Sequence, residues 1–309
     1  MKTWILKALA QKFISFLPYS YQINSFFQKH VTRGLILNEA LLEDKLIHAR
    51  NHLSYYHKFG QPQNSFNVLE VGTGWFPVIP VCMFLCGADT IVTCDVKPLL
   101  SKKRTLTTIS EILEMANQER LNQYITGIDE HRLSMLKEIR EKSHSISFSE
   151  ILDLLNLKIL AGDIREIDLD DQFADLIVSN NTLEHIRSGY IRDIIRKLVH
   201  AARKNGIMSH FIDMSDHFAH MDPTIPILHF LKFTDRQWFF INNSIQPMNR
   251  ERIGFYRSIF KDLNLSIIHE ENRYITSGEV ERISLAERFR ELPEEELRIS
   301  HSHMVLILN

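Results

Sequence analysis

Several patterns that would mark a specialised class of protein are scarce in this 309-residue sequence. The three cysteines, Cys82, Cys86 and Cys94, all fall in predicted core segments, which indicates small buried side chains in a reducing compartment. No apolar run approaches the roughly 18 residues of a membrane-spanning helix. The net charge is −2 and no block of lysine and arginine stands out, so nucleic acid is disfavoured as a partner. We therefore expect a globular, cytoplasmic protein.

The N-terminal segment predicts an amphipathic basic helix that ends at Pro18. Its apolar residues interleave with Lys2, Lys7 and Lys12, and the small-residue cleavage site of a signal peptide is missing. We predict that residues 1–64 form a helical cap that packs on the main domain, with residues 22–58 mostly helical and residues 61–65 as the linker. Peripheral attachment to a membrane through the first helix is the alternative. The apolar positions are Trp4, Ile5, Leu6, Leu9, Phe13, Ile14, Phe16 and Leu17.

A short apolar run that ends in Glu70 and breaks into the turn Gly72-Thr73-Gly74 predicts a buried strand followed by a nucleotide-binding loop. Residues 77–86 are apolar enough to form the helix that follows. A dinucleotide site of the G-x-G-x-x-G type would need a third glycine at position 77, which is Pro77. Because S-adenosylmethionine has no phosphate, the two-glycine turn suits it better than a dinucleotide.

Three further predicted strands end in polar residues suited to the rest of such a cofactor. The second, at residues 90–95, ends in Asp95, which can accept hydrogen bonds from both ribose hydroxyls. The third, at residues 158–161, leads to Asp163, which can bind an adenine amino group. The fourth, at residues 174–180, ends in Asn180. The predicted cofactor contacts are Glu70, Gly72, Thr73, Gly74, Asp95, Val96, Asp163, Ile164 and Asn180.

The ordered set E-V-G-T-G (70–74), T-C-D (93–95), A-G-D-I (161–164) and F-A-D-L-I-V-S-N-N-T-L-E-H-I (173–186) resembles the motif series of class I S-adenosylmethionine-dependent methyltransferases. The resemblance covers residues 65–309. It implies an α/β, Rossmann-like, doubly wound sheet of seven strands with the last strands antiparallel, and S-adenosyl-L-methionine as the cofactor.

The remaining segments fit that architecture with two insertions. Residues 101–156 predict a helical insertion, and residues 214–249 predict a long loop on the substrate side. Between and after them we expect helices at 190–204, 251–263 and 283–297 and strands at 207–213, 265–270 and 303–308. The first of these helices is expected to stop at Asn205-Gly206.

The polar segment after Asp213 emerges at the carboxyl end of a strand, where ligands bind in open α/β sheets. His217 is the first candidate for a general base, oriented by Asp213 or Asp216, and His185 is the second. His210, inside a strand, is expected to be a core residue. The predicted substrate-binding residues are His220, Arg236, Trp238 and Arg250.

A metal interpretation competes for the same segment. Five residues in ten positions carry oxygen or imidazole donors, but their spacing matches no standard ligand signature, so no metal ligand is predicted. Arg236, Arg250 and Arg252 could bind an anionic group of the acceptor, although ion pairs with neighbouring acids are the simpler explanation. The five candidate ligands are Asp213, Asp216, His217, His220 and Asp222.

The sequence thus predicts a methyltransferase that acts on a small molecule or glycan, at a hydroxyl. The segments D-x-x-D-H-F-A-H (213–220) and F-T-D-R-Q-W (233–238) resemble a bacterial methyltransferase subgroup associated with surface-glycan or specialised-metabolite pathways. The alternatives are an NAD-dependent oxidoreductase and a non-catalytic S-adenosylmethionine-binding partner protein. The oligomeric state is not predicted, because no heptad or repeat pattern is present.

Overall fold

The computed structural model describes residues 3–16, 36–62, 65–220, 222–244 and 247–308. The chain divides into two compact units. The sheet unit comprises Leu37–Asn180, Asp193–His210 and Val305–Asn309, and the loop unit comprises Met1–Ile36, Asn181–Arg192 and Phe211–Met304. The predicted helix end at Pro18, the predicted helical residues 22–35 and part of the predicted linker lie outside the described residues.

The described strands form one seven-stranded mixed sheet in the order β3-β2-β1-β4-β5-β7-β6, with the last strands antiparallel. Strand β1 pairs in parallel with β2 on one side and with β4 on the other, and β2 pairs in parallel with β3. The predicted α/β fold is therefore confirmed. The strands are β1 (Phe66–Val71), β2 (Ala88–Asp95), β3 (Leu157–Ala161), β4 (Ala174–Asn180), β5 (Ala202–Asp213), β6 (Leu265–Tyr274) and β7 (Ile299–Leu308).

The described α-helices lie between and around these strands. Helix α3 is apolar along its whole length and every residue of it is buried, as expected for a helix packed between a sheet and other helices. The helices are α1 (Thr3–Ser15), α2 (Glu39–Phe59), α3 (Val78–Leu85), α4 (Lys102–Asn117), α5 (Glu130–Glu141), α6 (Phe148–Leu154), α7 (Ser188–Ala201), α8 (Asp235–Ile241), α9 (Ile253–Asp262), α10 (Ser277–Glu281), α11 (Glu287–Arg290) and α12 (Glu294–Arg298).

The predicted helical insertion, residues 101–156, contains α4, α5 and α6 and packs within the sheet unit. Arg132 of α5 donates hydrogen bonds to the carbonyls of Phe84 (2.8 Å) and Ala88 (2.6 Å), at the end of α3 and the start of β2. Its guanidinium also lies 5.0 Å from the centroid of the Phe84 ring. One partly buried arginine therefore fixes this insertion to the first βαβ unit of the sheet.

Two predicted elements near the end of the sheet were wrong in their bounds. Helix α7 ends at Ala201, and Asn205-Gly206 lies inside β5 instead of stopping a helix. A Cβ on Gly206 would come within 2.8 Å of the Ala174 carbonyl, so this glycine serves a close approach of two backbones. The helix expected at 283–297 is replaced by short helices, since Pro293 precedes α12 and removes an interior hydrogen-bond donor.

The loop unit has a hydrophobic core of its own, in which aromatic side chains pack among aliphatic ones. Trp4 of α1 is buried against Phe218, His229 and Phe233, with ring centroids 6.1, 4.8 and 5.8 Å away. Helix α1 is also tied to α8, because Nζ of Lys12 donates to the Phe239 carbonyl at 2.9 Å. The N-terminal helix therefore packs on the segment that follows β5. None of the helices within the described residues has the length and apolar character needed to cross a bilayer.

Candidate functional site

The glycine turn between β1 and α3 has the geometry of a ligand-binding loop. Gly72 and Gly74 have φ angles of 84° and 71°, in the left-handed region that favours glycine. The Gly72 amide donates to the carbonyl of Cys94 at 2.8 Å, which ties the turn to the end of β2. A Cβ built on Gly74 meets no atom within 4 Å, so open space adjoins the backbone at this point. A ligand can approach the main chain there.

Glu70 lies beneath this turn and is almost fully buried, with 3% of its surface exposed. Burial raises the pKa of Glu70 to about 7, and the Thr73 hydroxyl and the charge of Lys45 act against that rise. Thr73 and Lys45 belong to the sheet unit, as Glu70 does. Glu70 as a direct cofactor contact stays a prediction.

Asp95 ends β2 beside the glycine turn. Its Oδ2 accepts a hydrogen bond from the Gly74 amide at 3.1 Å, and its Oδ1 lies 3.4 Å from the Lys97 amide. Burial raises the pKa of Asp95, and these backbone amides oppose the rise. The next residue, Val96, is 69% exposed although it is apolar. A carboxylate fixed by two amides next to an uncovered apolar side chain suits the ribose and the adenine face of a nucleoside.

Three further predicted cofactor residues, Asp163, Ile164 and Asn180, differ in how accessible their side chains are. Asp163 is half-buried, and both of its carboxylate oxygens accept hydrogen bonds from Arg165, with Nε at 2.9 and 3.1 Å. An adenine amino group would have to share that carboxylate with Arg165. Ile164 and Asn180 are buried, the latter at the end of β4. Cofactor binding by these three residues stays a prediction.

In the loop unit, Asp213 gathers several groups around one carboxylate. Oδ2 accepts a hydrogen bond from Nε2 of His217 at 3.1 Å, and Oδ1 accepts one from the Ser215 amide at 2.8 Å and lies 3.3 Å from Nε2 of His301. Burial raises the pKa of Asp213, but the hydrogen bond and charge of His217 and the charge of His301 together hold it well below its usual range. Asp213 is therefore ionised at neutral pH.

Asp216, the other predicted partner of His217, points elsewhere. It is fully buried, its Oδ1 accepts a hydrogen bond from the Phe218 amide at 2.8 Å, and its Oδ2 lies 3.4 Å from Nδ1 of His229. The sequence offered two carboxylates as partners of His217. The structure brings Asp213 to His217 and pairs Asp216 with His229.

His185, the second candidate base, joins the same group of side chains. Its ring lies 4.9 Å from that of His217, edge to face, and its Nδ1 is 2.7 Å from the Pro247 carbonyl. Burial and the charge of His217 lower the pKa of His185 to about 4. His185 is therefore neutral at pH 7, and its proton lies on Nδ1, because a carbonyl can only accept.

The comparisons with known proteins bear on what these two groups of residues do. Residues 110–209, from α4 into β5, match a family model described as a methyltransferase domain. In class I methyltransferases the last two strands form an antiparallel edge of a seven-stranded sheet, which is the arrangement seen in this chain. The chain therefore contains a segment that matches a methyltransferase domain. Its cofactor is S-adenosylmethionine.

The methyltransferase is also similar to many solved structures, at low identity. They include a protein from Listeria monocytogenes assigned as an S-adenosylmethionine-dependent methyltransferase, with 14% identity, 85% of this chain and 99% of that chain covered, and a TM-score of 0.44. A Leishmania major S-adenosylmethionine-dependent methyltransferase has 12% identity, 98% and 82% coverage, and a TM-score of 0.43. Haemonchus contortus phosphoethanolamine N-methyltransferase 2 has 10% identity, 84% and 52% coverage, and a TM-score of 0.44. A search of curated proteins gave no match.

The residues of the glycine turn fit this cofactor. The open space beside Gly74, the exposed Val96 and the carboxylate of Asp95 belong to one compact unit and follow consecutive strands. The family match begins at residue 110, after the turn, so it was obtained independently of these residues. When bound, S-adenosylmethionine would supply an electrophilic methyl group on its sulfonium.

The predicted substrate-binding residues fall into two classes. Arg250 has 1% of its side chain exposed and donates to the carbonyls of Phe230 (3.1 Å) and Phe233 (2.6 Å) and to Asp235 (2.6 Å). Arg252 likewise donates to the buried carbonyls of Met214, Leu297 and Ile299. Both arginines therefore hold the loop unit together, and we no longer assign Arg250 to the acceptor.

The other three, Trp238, Arg236 and His220, differ in exposure, and Trp238 is buried. Trp238 donates from Nε1 to the Met248 carbonyl at 3.1 Å and, with Lys7 and His217, lines a pocket of about 10 Å³, room for roughly one water molecule. Arg236 is exposed on α8. His220 lies with Nε2 2.9 Å from the Ser215 hydroxyl and its ring stacked 5.3 Å from that of His217. Acceptor contacts by these three residues stay predictions.

Sequence patterns missed two residues that shape this cluster. Asn249 donates from Nδ2 to the carbonyls of Leu183 (2.8 Å) and Ile186 (2.9 Å), and its amide donates to the Glu184 carbonyl (2.9 Å). It thereby fixes the turn that carries His185. The other missed residue, His301, reaches Asp213 from β7. A lone asparagine in a loop and a histidine in an alternating strand give no local signal of such roles.

Proposed function

We propose that this methyltransferase transfers the methyl group of S-adenosylmethionine to a hydroxyl of a small-molecule or glycan acceptor, and that the Asp213–His217 pair removes the hydroxyl proton. The observation that carries the proposal is the 3.1 Å hydrogen bond between Nε2 of His217 and Oδ2 of the ionised Asp213. A hydroxyl is a poor nucleophile until it loses its proton, whereas the methyl group on a sulfonium needs no further activation. An oriented base is therefore the part that the protein must provide.

The hydrogen bond decides which nitrogen of His217 takes the proton. Because the carboxylate of Asp213 can only accept, Nε2 carries the ring proton and Nδ1 carries the lone pair. As the acceptor oxygen forms its bond to the methyl carbon and the sulfur–carbon bond breaks, the hydroxyl proton passes to Nδ1. Asp213 then stabilises the imidazolium, as a carboxylate partner does in other histidine bases. A positioned base of this kind contributes about 10²–10⁴-fold to the rate.

The proposal is tested with the purified full-length chain and a panel of hydroxylated and aminated small molecules and oligosaccharides. Formation of S-adenosylhomocysteine should require a hydroxyl in the acceptor. Turnover confined to amine acceptors would contradict the proposal. Calorimetry in parallel should show binding of S-adenosylmethionine and none of NAD, which separates the methyltransferase from the oxidoreductase alternative. Substitution of His217 by alanine should abolish turnover and leave cofactor binding intact. A non-catalytic binding protein would show no turnover to lose.

Helix α1 supports a second proposal, peripheral contact with a membrane. It presents three large apolar side chains to solvent, and Phe16 just after it and Phe239 and Phe240 of α8 are exposed as well. No acidic residue occurs in α1, so the helix would not be repelled by anionic lipids. Sedimentation with vesicles that contain a quarter phosphatidylserine tests this: Phe13→Ser with Phe16→Ser should lose binding that the unchanged chain shows. The exposed large apolar residues of α1 are Leu6, Leu9 and Phe13.

A further inference from the structure

Three metal-binding side chains converge in the loop unit beside the Asp213–His217 pair. Glu184, His185 and His217 each offer one ligand atom, and these atoms all lie within 4.8 Å of one another. Glu184 and His185 sit side by side on the 3₁₀ turn Leu183–His185, and His217 follows β5. Of the five residues with carboxylate or imidazole donor side chains in the segment 213–222, this set includes only His217.

Hydrogen bonds fix both imidazoles in the form that binds a metal. Nδ1 of His185 donates to the Pro247 carbonyl at 2.7 Å, and Nε2 of His217 donates to Asp213 at 3.1 Å. Because both partners can only accept, the lone pairs lie on Nε2 of His185 and Nδ1 of His217. Metal-bound histidines almost always donate their other ring nitrogen to a carbonyl or carboxylate in this way. The arrangement around both rings is thus that of a supported metal ligand.

The third ligand is held equally firmly. Glu184 is buried, with 2% of its surface exposed. The side chain and amide of Asn249 bind the backbone carbonyls of Leu183, Glu184 and Ile186, so the turn that presents Glu184 and His185 is fixed at three points. The turn therefore presents Glu184 and His185 together in the loop unit, in which His217 also lies.

We propose that Glu184, His185 and His217 bind one divalent transition-metal ion, and that this ion receives the acceptor oxygen. Two imidazoles and one carboxylate favour Zn²⁺, Fe²⁺ or Co²⁺ over Mg²⁺ and Ca²⁺, and three protein ligands leave positions for a further ligand. The consequence for catalysis rests on the proposed function. In the metal-loaded protein the hydroxyl oxygen coordinates the cation and loses its proton to solvent; in the metal-free protein Nδ1 of His217 accepts that proton.

The site is tested by titrating the full-length chain, first treated with a chelator, with Co²⁺ in the absence of cofactor and acceptor. We expect one equivalent to bind and to give visible d–d absorption without a thiolate charge-transfer band. Glu184→Gln, His185→Ala and His217→Ala should each weaken binding at least tenfold. Asp213→Asn, which removes only the support of His217, should weaken it about tenfold.

His220→Ala is the matched control, because His220 stacks on His217 but does not belong to the proposed ligands. It should change the Co²⁺ affinity less than twofold. The proposal is overturned if no band appears, if the band persists in His185→Ala and Glu184→Gln, or if His220→Ala loses it while His185→Ala keeps it. A thiolate band would likewise overturn it, since the ion would then lie at a cysteine.

A second readout covers variants that fold poorly. Co²⁺ should raise the melting temperature of the unchanged chain and of His220→Ala, and leave that of Glu184→Gln unchanged. Because neither experiment involves methyl transfer, loss of the metal site leaves the proposed function standing, and an inactive enzyme leaves the metal site standing. Turnover with and without the chelator then shows which proton route the methyltransferase uses.

Discussion

Nε2 of His217 donates a hydrogen bond to Oδ2 of Asp213, four residues earlier, across 3.1 Å. Strand β5 ends at Asp213 and the chain turns immediately, since the Ser215 amide also binds Oδ1 of that carboxylate. The end of the strand and the tight turn together place a histidine over an ionised acid. This relationship sets the tautomer of His217, on which both the proton-transfer proposal and the metal proposal depend.

Replacing Asp213 by asparagine should lower kcat for a hydroxyl acceptor by about 10²-fold or more, because the amide no longer fixes the tautomer of His217 or stabilises its cation. The dissociation constant for S-adenosylmethionine, measured by calorimetry, should stay within about twofold. Thr224→Ser, at an exposed position of the same segment, provides a control. If Asp213→Asn lost as much affinity for S-adenosylmethionine as it lost in kcat, the substitution would have damaged the structure and not only the proton transfer.

Gly74→Ala should weaken S-adenosylmethionine binding by at least tenfold. Its φ of 71° strains any residue with a Cβ by roughly 1 kcal/mol, and the added methyl would point into the open space beside the turn. Gly127→Ala is a matched control, since Gly127 has a φ of 74° and an equally open Cβ position. Both variants should lose similar stability in thermal melts, but only Gly74→Ala should lose cofactor affinity. Equal cofactor affinities would remove the turn from the cofactor site.

Substitutions of Arg250 and Arg236 should distinguish an arginine that stabilises the loop unit from one that binds the acceptor. Arg250→Ala removes the guanidinium hydrogen bonds to the carbonyls of Phe230 and Phe233 in the core of the loop unit, so we expect a loss of about 2–4 kcal/mol in the free energy of unfolding. Arg236→Ala, on the exposed face of α8, should change it by less than about 0.5 kcal/mol and raise KM for the acceptor. An unchanged KM in Arg236→Ala would remove Arg236 from the substrate site.

His210 should make the sheet unit sensitive to acid. It is fully buried in β5 with Nδ1 2.8 Å from the Ser179 hydroxyl, and burial lowers its pKa from 6.5 to about 4. The unfolded chain therefore binds a proton at a higher pH than the folded chain does. Stability from this residue is complete above about pH 6.5 and is lost as the pH falls toward 4, by up to roughly 3 kcal/mol.

The measurement for His210 is urea unfolding at several pH values between 7 and 4. His210→Gln should flatten the decline in that window, whatever its effect at neutral pH, while His144→Gln, on the surface of the insertion, should leave the slope unchanged. Identical slopes for the unchanged chain and His210→Gln would assign the acid sensitivity to other groups.

The cofactor side of this methyltransferase was readable in the sequence because each of its residues follows a strand directly. A buried run that ends in Asp95 or Asn180 carries its polar residue to the same edge of a parallel sheet, whatever the rest of the chain does. The bounds of β4 were predicted exactly, and those of α3 and β3 to within a residue. The prediction that Asn205-Gly206 ends a helix was wrong, because Gly206 lies in β5, where it allows a close approach to the Ala174 carbonyl.

The acceptor side was decided by tertiary structure. By itself the sequence determined that the cofactor motifs follow successive strands along the chain. It also located the glycine turn and the polar segment after Asp213. These features depend on local periodicity and backbone preference. Only the fold chose Asp213 over Asp216 for His217, turned Arg250 inward and brought His185 beside His217. Those outcomes depend on contacts between residues far apart in the chain, and no spacing rule encodes a distance that packing alone sets.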